Sequence, residues 1–116
     1  MIKMNFDIFY SLNNDQKWET LEGNQKRRIV HMDNITTIFF QAPKGLITPK
    51  DHLHLNEQVS YLVKGKLKIV IGNKEKIIKA NEGYMVPSNE KHHIEVIEDS
   101  LIIDFFSPKR NDLKAT

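Results

Sequence analysis

The sequence contains no cysteine, which excludes disulfide bonds, thiolate metal ligands and a cysteine nucleophile. Long apolar runs are also missing, because none approaches the roughly 20 residues that a membrane-spanning helix needs. The first residues, MIKMNFDIFYSLNNDQ, lack the apolar core of a secretion signal. Arginine is scarce and the lysines are scattered, whereas a nucleic-acid surface would cluster its basic residues. We therefore expect a cytoplasmic protein with neither a membrane nor a nucleic acid as its partner.

Helical periodicity is missing as well, and what recurs is a short β-type run bounded by turn residues. The chain has 116 residues, of which 40% are hydrophobic, and this suits one domain with one core. We expect that domain to cover residues 1–116, with its barrel at about residues 27–110. A turn is expected at Lys64–Gly65, and a further strand near Phe6–Tyr10. The pattern predicts an all-β sandwich or barrel, with runs at 26–32, 35–42, 58–63, 66–72, 75–80, 84–87, 93–97 and 100–108.

One carboxylate falls on an apolar strand face. In the run SLIIDFFSP, the side chains of Ile102, Asp104 and Phe106 alternate onto the same side of the strand. Two of these three are apolar, so we expect that side to face inward and to carry Asp104 with it. A buried charge without a partner is costly, and Asp104 therefore requires a cation, a metal or a substrate beside it.

Two of the five histidines form a His-x-His pair. His52 and His54 are two residues apart, so on a strand their rings point to the same side. Imidazole is a common ligand of zinc, nickel, iron, copper and manganese. His92 opens a later strand and is the third candidate ligand. We interpret His31 and His93 as structural or surface residues.

The segment that follows the His-x-His pair resembles the first motif of the cupins, a family of small β-barrel proteins. That motif, G-x5-H-x-H-x3-4-E-x6-G, is matched by His52, His54, Gln58 and Gly65, with glutamine in place of glutamate. Gly45 stands one residue too far upstream for the first glycine. By this resemblance the glutamine would be a metal ligand, and a neutral amide would leave the charge of the metal uncompensated. We expect weaker metal binding and a stronger attraction for an anionic oxygen.

A second cupin motif, G-x5-P-x-G-x2-H-x3-N, is matched more loosely by Pro87 and His92. Asn81 and Asn89 replace its glycines, which is a mild change because asparagine tolerates positive φ. The resemblance implies a single-domain cupin, that is, a double-stranded β-helix or jelly-roll barrel. It also implies one divalent transition metal (zinc, nickel, manganese or iron) bound by His52, His54, Gln58 and His92.

The C-terminal part narrows the resemblance to the KdgF-like cupins of pectin and alginate degradation. The shared pattern is D-x-F-S-P-x-R, formed here by Asp104, Phe106, Ser107, Pro108 and Arg110. The activity of that group is to linearise a 4,5-unsaturated uronate to its 5-keto form. The resemblance implies an acid/base role for Asp104, an apolar wall at Phe106, and a substrate carboxylate held by Arg110 or Arg28. Arg27 and Arg28 are adjacent, so only one of them can point inward.

Two other classes of function stay open. The same scaffold can carry a metal-dependent dioxygenase or an isomerase of another small molecule, and it can also be a non-catalytic small-molecule-binding module. In each case the expected ligand is small, and the uronate reading makes it anionic. The resemblance further implies a homodimer in which N-terminal strands pack on the sheet of the partner.

Overall fold

The computed structural model describes residues 7–116. Its strands are β1 (Glu19–Thr20), β2 (Lys26–His31), β3 (Thr36–Ala42), β4 (Glu57–Ile71), β5 (Lys74–Lys79), β6 (Gly83–Val86) and β7 (His92–Ser107). Two 3-10 turns, Asp15–Lys17 and Glu22–Asn24, are the only helical segments in this part of the chain. No helix among the described residues is long and apolar enough to cross a membrane.

Part of the predicted organisation falls on residues 1–6. The strand expected near Phe6–Tyr10 begins outside the described residues, and residues 7–10 form no strand. The N-terminal strands expected at a dimer interface lie in the same region. The single domain over residues 1–116 likewise stays a prediction.

The two longest strands organise the barrel. Neighbouring strands follow the order β1-β2-β3-β7-β4-β5, and β6 pairs with β4. The first half of β4 pairs with the end of β7 and with β6, whereas its second half pairs with the start of β7 and with β5. Both strands therefore run through both halves of the molecule. This is the double-stranded β-helix, and the predicted all-β fold class is confirmed.

The turn predicted at Lys64–Gly65 is wrong. The runs on either side of it form one continuous strand, β4, whose register with β7 shifts between Leu62 and Leu67. Gly65 has φ 102°, and a Cβ there would collide with the side chain of Ser100 and the backbone of Asp99. A β-bulge bends a strand and increases its twist without ending it. Glycine thus serves here as a bulge residue where the sequence pattern indicated a turn.

Alternation along the strands separates the core from the outer surface. In the first half of β4, Gln58, Ser60 and Leu62 are buried, while Val59 and Tyr61 are exposed. The larger apolar cluster fills one end of the barrel, with its buried members Ala42, Leu62, Leu67, Ile69, Ile78, Ile94, Val96 and Ile102. A smaller cluster of Ile29, Ile38 and Phe106 lies towards the other end. On β7, the inward Asp104 lies between Ile102 of the larger cluster and Phe106 of the smaller one.

The two asparagines at glycine positions of the second motif have the conformation that the motif requires. Asn81 has φ 71° and Asn89 has φ 61°. Both lie in the left-handed region, where asparagine is one of the few tolerated residues. The turn before β6 and the turn before β7 therefore keep the geometry that glycine would give them.

Candidate metal and substrate site

A cavity of about 210 Å³ opens into the barrel and contains most of the predicted site. Its walls are mainly apolar, with a few polar groups that converge on the interior, which is the usual construction of a small-molecule site. The lining side chains include Arg27, Ile38, Phe40, His52, Gln58, Tyr84, His92, Ile102, Asp104, Phe106, Arg110 and Leu113.

Three histidines converge beside this cavity. One ring nitrogen from each of His52, His54 and His92 lies within 4.8 Å of the others. The prediction that the His-x-His pair lies on a strand is wrong. The pair lies in the loop that precedes β4. Backbone hydrogen bonds attach this loop to the approach to β7, since the N–H of His92 donates to the carbonyl of His52 at 2.9 Å and that of Asn89 donates to His54 at 2.8 Å. These bonds make the two segments converge.

Backbone contacts fix the tautomers of two of these rings. Nδ1 of His54 lies 2.9 Å from the carbonyl oxygen of Asn56, and Nδ1 of His92 lies 2.9 Å from that of Glu90. A carbonyl oxygen can only accept, so each Nδ1 must carry the hydrogen and donate it. In the neutral rings, both Nε2 atoms are then left with free lone pairs. This is the orienting arrangement typical of metal-binding histidines.

Gln58 completes a donor set that fits a cation. Its Nε2 donates to Ser60 at 2.9 Å and to Asp104 at 3.3 Å, which turns its Oε1 towards Nε2 of His54 at 3.0 Å. With His54 neutral, two acceptor atoms face each other at hydrogen-bonding distance. A metal ion bound to both atoms satisfies this arrangement. The residues present therefore fit a divalent metal, with three imidazole nitrogens and one amide oxygen as donors.

The protonation of the cluster suits the same role. Burial lowers the pKa of His92 to about 4, and the neighbouring His54, His52 and Arg110 act in the same direction. The pKa of His52 is also lowered, first by burial and then by the charges of His54 and Arg110. These two imidazoles are neutral at pH 7, and only a neutral imidazole can bind a metal.

Asp104 faces inward beside Gln58, on the strand face where the alternation of β7 predicted it. Register places it opposite Ser60, whose hydroxyl donates to Oδ1 at 2.6 Å. Burial raises the pKa of Asp104 to about 6, against the hydrogen bonds from Ser60 and Gln58 and the charge of Arg110, which all lower it. A carboxyl group with this pKa exchanges protons readily near neutral pH.

Arg110 and Phe106 form the wall next to the histidines. The guanidinium carbon of Arg110 lies 4.8 Å from the ring centre of Phe106, within cation–π range. Nε and Nη2 donate to Asp112 at 2.9 and 2.8 Å, and this ion pair lowers the pKa of Asp112 to about 2. The Arg110 guanidinium is thus held by the Asp112 carboxylate and packs against the Phe106 ring. Its remaining N–H groups are available to an anion in the cavity.

The assignment of Arg28 to the substrate site needs correction. Arg27 lines the cavity, whereas Arg28 is buried against the C-terminal residue, where its Nη1 donates to Oγ1 of Thr116 at 3.1 Å. Register explains the difference, because Arg27 lies opposite Phe40, another cavity residue. Nε of Arg27 donates to Glu19 at 2.6 Å, and its terminal nitrogens have no hydrogen-bond partner among residues 7–116.

Tyr84 and Leu113 are among the cavity residues that the sequence did not suggest. Tyr84 lies opposite Ser60 on β6, within hydrogen-bonding reach of its hydroxyl, and burial raises the pKa of the phenol. Alternation with the buried Val86 is a signal that could have placed Tyr84 inward. Leu113 reaches the cavity from the irregular C-terminal segment, where periodicity gives no signal.

The remaining two histidines lie away from the cluster. His31 bridges Thr36 at 2.7 Å and the carbonyl of Leu113 at 3.0 Å. His93 is buried on the outward side of β7, with Nε2 3.1 Å from the Glu95 carboxylate. Both have protein partners, in keeping with the structural reading of these two positions.

Fold and site together define a class of protein: a double-stranded β-helix with three convergent imidazoles beside an inward cavity. The cupin domain family matches residues 38–105. The chain belongs to the cupin family and resembles its KdgF-like group. The pectin degradation protein KdgF of Dickeya dadantii (strain 3937) is 34% identical over 106 residues, which cover 89% of this chain and 96% of that protein.

Solved structures agree with this assignment. KdgF from Halomonas sp. superposes with a TM-score of 0.79 at 25% identity, covering 87% of this chain and 95% of the other. An RmlC-like cupin from Shewanella frigidimarina NCIMB 400 gives 0.83 at 25% identity, covering 94% and 98%. The alignments include nearly the whole of both relatives, so the similarity extends to the complete barrel.

Proposed function

We propose that this cupin is a metal-dependent enzyme that linearises a 4,5-unsaturated uronate to its 5-keto form. The observation that carries the proposal is the lining of one cavity, which includes the Asp104 carboxylate, the guanidinium groups of Arg27 and Arg110, and two members of the histidine cluster. The similarity to a protein named for pectin degradation supports a sugar acid as the substrate. A volume of about 210 Å³ is below the roughly 300–1,000 Å³ of pockets for drug-sized ligands and suits a single sugar unit.

The reaction is an isomerisation that needs only proton movement. The hydroxyl on C1 loses its proton, the bond between C1 and the ring oxygen breaks, and C1 becomes an aldehyde. The ring oxygen keeps the bonding pair and becomes an enolate at C5. A proton then adds to C4, and C5 becomes a ketone. One proton leaves C1–OH and one arrives at C4, so the atoms and charges balance.

Asp104 is the group that we assign to proton transfer. Its pKa of about 6 lets it accept a proton at one stage and return it at another near neutral pH. Ser60 and Gln58 both donate to Oδ1 of this carboxylate, at 2.6 and 3.3 Å, and Oδ2 has no hydrogen-bond partner among residues 7–116, so we assign the proton transfer to Oδ2. Acid/base groups of this kind contribute roughly 10²–10⁴-fold to rate.

Arg110 and Arg27 are assigned to the anionic end of the substrate. A guanidinium fork binds a carboxylate with two parallel hydrogen bonds, and both arginines have N–H groups free for this purpose. Phe106 supplies an apolar surface next to Arg110. A divalent metal held by His52, His54, Gln58 and His92 would polarise substrate oxygens as a Lewis acid.

The first experiment is elemental analysis of the purified protein beside two histidine variants. His52→Ala removes a proposed ligand, whereas His93→Ala removes a buried histidine from the opposite face of β7. One transition-metal ion per chain is expected in the wild type and in His93→Ala, and none in His52→Ala. A metal content equal in both variants would contradict the assigned site.

Turnover is tested with an unsaturated uronate monomer, whose conjugated double bond absorbs in the ultraviolet. The enzyme should accelerate the loss of this absorbance far above the spontaneous rate, and it should act on the monomer rather than on an oligomer. Loss of metal in His52→Ala should abolish the acceleration. A fully loaded wild type that leaves the spontaneous rate unchanged would reject the uronate reaction and leave the dioxygenase, isomerase and binding readings.

We also propose that a second copy of the chain covers the outer face formed by Val59, Tyr61, Met85 and Phe105. These side chains are 52%, 38%, 74% and 42% exposed and lie side by side on β4, β6 and β7. An uncharged patch of this kind is typical of an interface centre. Light scattering should give a dimer for the wild type and a monomer for Phe105→Glu. Ile77→Glu, at an equally exposed site on β5, should remain dimeric.

A further inference from the structure

One wall of the cavity is not part of the sheet. The tail (residues 109–116) follows β7 as turns and irregular chain, yet Arg110 and Leu113 both line the cavity. Leu113 also packs against the smaller core cluster. The position of the Arg110 guanidinium therefore depends on how the tail is attached to the barrel.

Thr36 and His31 provide that attachment through an ordered chain of hydrogen bonds. The backbone N–H of Arg110 donates to Oγ1 of Thr36 at 2.8 Å. Oγ1 lies 2.7 Å from Nδ1 of His31, and Nε2 of that ring lies 3.0 Å from the carbonyl of Leu113. Because this carbonyl can only accept, Nε2 donates to it; in the neutral ring Nδ1 then accepts, and the Thr36 hydroxyl donates to Nδ1. Each donor and acceptor in this series of hydrogen bonds therefore has a partner.

We propose that Thr36 and His31 are positioning residues, which place Arg110 and Leu113 against the substrate without touching it themselves. The inference rests on the function proposed above, because it takes Arg110 as the group that binds the substrate anion. Thr36 is fully buried, and its hydroxyl is the anchor for the backbone of Arg110. The bonds from Arg110 to Asp112 fix only the fork relative to its own tail, since Asp112 is itself a mostly exposed tail residue.

The test replaces the buried hydroxyl by a methyl group of the same shape. Thr36→Val removes the acceptor for Arg110 and the donor for His31, and it leaves a buried N–H unpaired. We expect KM for the unsaturated uronate to rise about tenfold, with kcat and metal content close to wild type. Thr36→Ser keeps the hydroxyl and should restore KM. Thr37→Val, the same change on the neighbouring outward residue, should leave KM unchanged.

A second variant covers the case in which Thr36→Val does not fold. His31→Gln keeps a donor that can reach the carbonyl of Leu113 but loses the accepting ring nitrogen, so a smaller rise in KM is expected, about threefold. A wild-type KM in the folded Thr36→Val protein overturns the proposal. So does a defect confined to kcat or to metal content, or a Thr36→Ser variant as poor as Thr36→Val.

Two further measurements separate this proposal from the uronate reaction. Hydrogen exchange at the Arg110 amide should accelerate in Thr36→Val but not in Thr37→Val, and binding of D-glucuronate by calorimetry should weaken about tenfold. Both can be measured whether or not the wild type turns over an unsaturated uronate. If turnover fails while both changes are seen, the reaction is wrong and the positioning role stands. If turnover succeeds and neither change is seen, the positioning role is wrong.

Discussion

Replacing Asp104 by asparagine should make the metal-free protein more stable at pH 8 while removing its activity. Burial raises the pKa of this carboxyl from 3.8 to about 6, so its ionised form is held at a cost in the folded state. At about 1.4 kcal/mol per pKa unit, the cost is about 3 kcal/mol. Asparagine keeps the oxygen that accepts from Ser60 and Gln58 and carries no charge. The gain in unfolding free energy should therefore be about 1–3 kcal/mol.

The stability difference between Asp104→Asn and the wild type should depend on pH. Above pH 6 Asp104 is ionised in both the folded and the unfolded state, and the wild type carries the full cost. As the pH falls from 6 to 3.8, the folded state holds a proton that the unfolded state has lost, and the cost shrinks. Below 3.8 both states are protonated and the cost is gone. The advantage of Asp104→Asn over the wild type should thus be largest at pH 8 and small near pH 4.

Urea unfolding of EDTA-treated protein at a series of pH values measures this difference. Asp112→Asn is the matched control with the opposite sign, since Arg110 lowers the pKa of Asp112 to about 2. The Asp112 carboxylate contributes stability that is present above pH 3.8 and is lost as the pH falls towards 2. If Asp104→Asn gives no gain at pH 8, or a gain that does not change with pH, the raised pKa is wrong and the proton-transfer role with it.

Four further substitutions test other parts of the site and fold. Gln58→Glu should tighten metal binding, because it adds an anionic ligand, and should weaken turnover of an anionic substrate; titration of the apo protein that shows unchanged affinity would refute this. Arg27→Met should raise KM about tenfold at unchanged stability, whereas Arg28→Met should instead lower the unfolding free energy by about 1–2 kcal/mol. Gly65→Ala should cost about 2–3 kcal/mol in denaturant unfolding, because its φ of 102° and the crowded bulge leave no room for a methyl group. An unfolding free energy of Gly65→Ala equal to that of the wild type would contradict this expectation.

The choice between Arg27 and Arg28 shows where sequence patterns reach their limit. Strand alternation fixes that the two point to opposite sides, but not which side faces the cavity. The neighbouring strand, β3, gives no help because Ile38, Phe39 and Phe40 make both of its faces apolar. Only the register decides, since it sets Arg27 beside Phe40 and Arg28 beside Phe39. An all-apolar run therefore hides the one-residue distinction on which the substrate site depends.

The three histidine ligands, unlike the choice between Arg27 and Arg28, could be predicted from the sequence. Their types and spacing report the chemistry directly, so His52, His54 and His92 were identifiable even though the pair lies in a loop and not on a strand. The loop carries the pair correctly because backbone bonds attach it to the approach to β7. Nothing in the local sequence predicts those bonds. The spacing of the turns likewise predicted the all-β fold. It did not predict that β4 continues through Gly65.

The glutamine at position 58 has a physical reason in the structure. Its amide has two ends, an oxygen directed to the His54 side and a nitrogen that donates to Asp104. A glutamate there would place a second carboxylate about 3.3 Å from the first, and two such groups cannot both be ionised. One of them would hold a proton at neutral pH and could no longer act as a base. Glutamine instead leaves the Asp104 carboxyl free to titrate beside the proposed metal site, so we expect weaker metal binding and a working acid/base group to have the same origin.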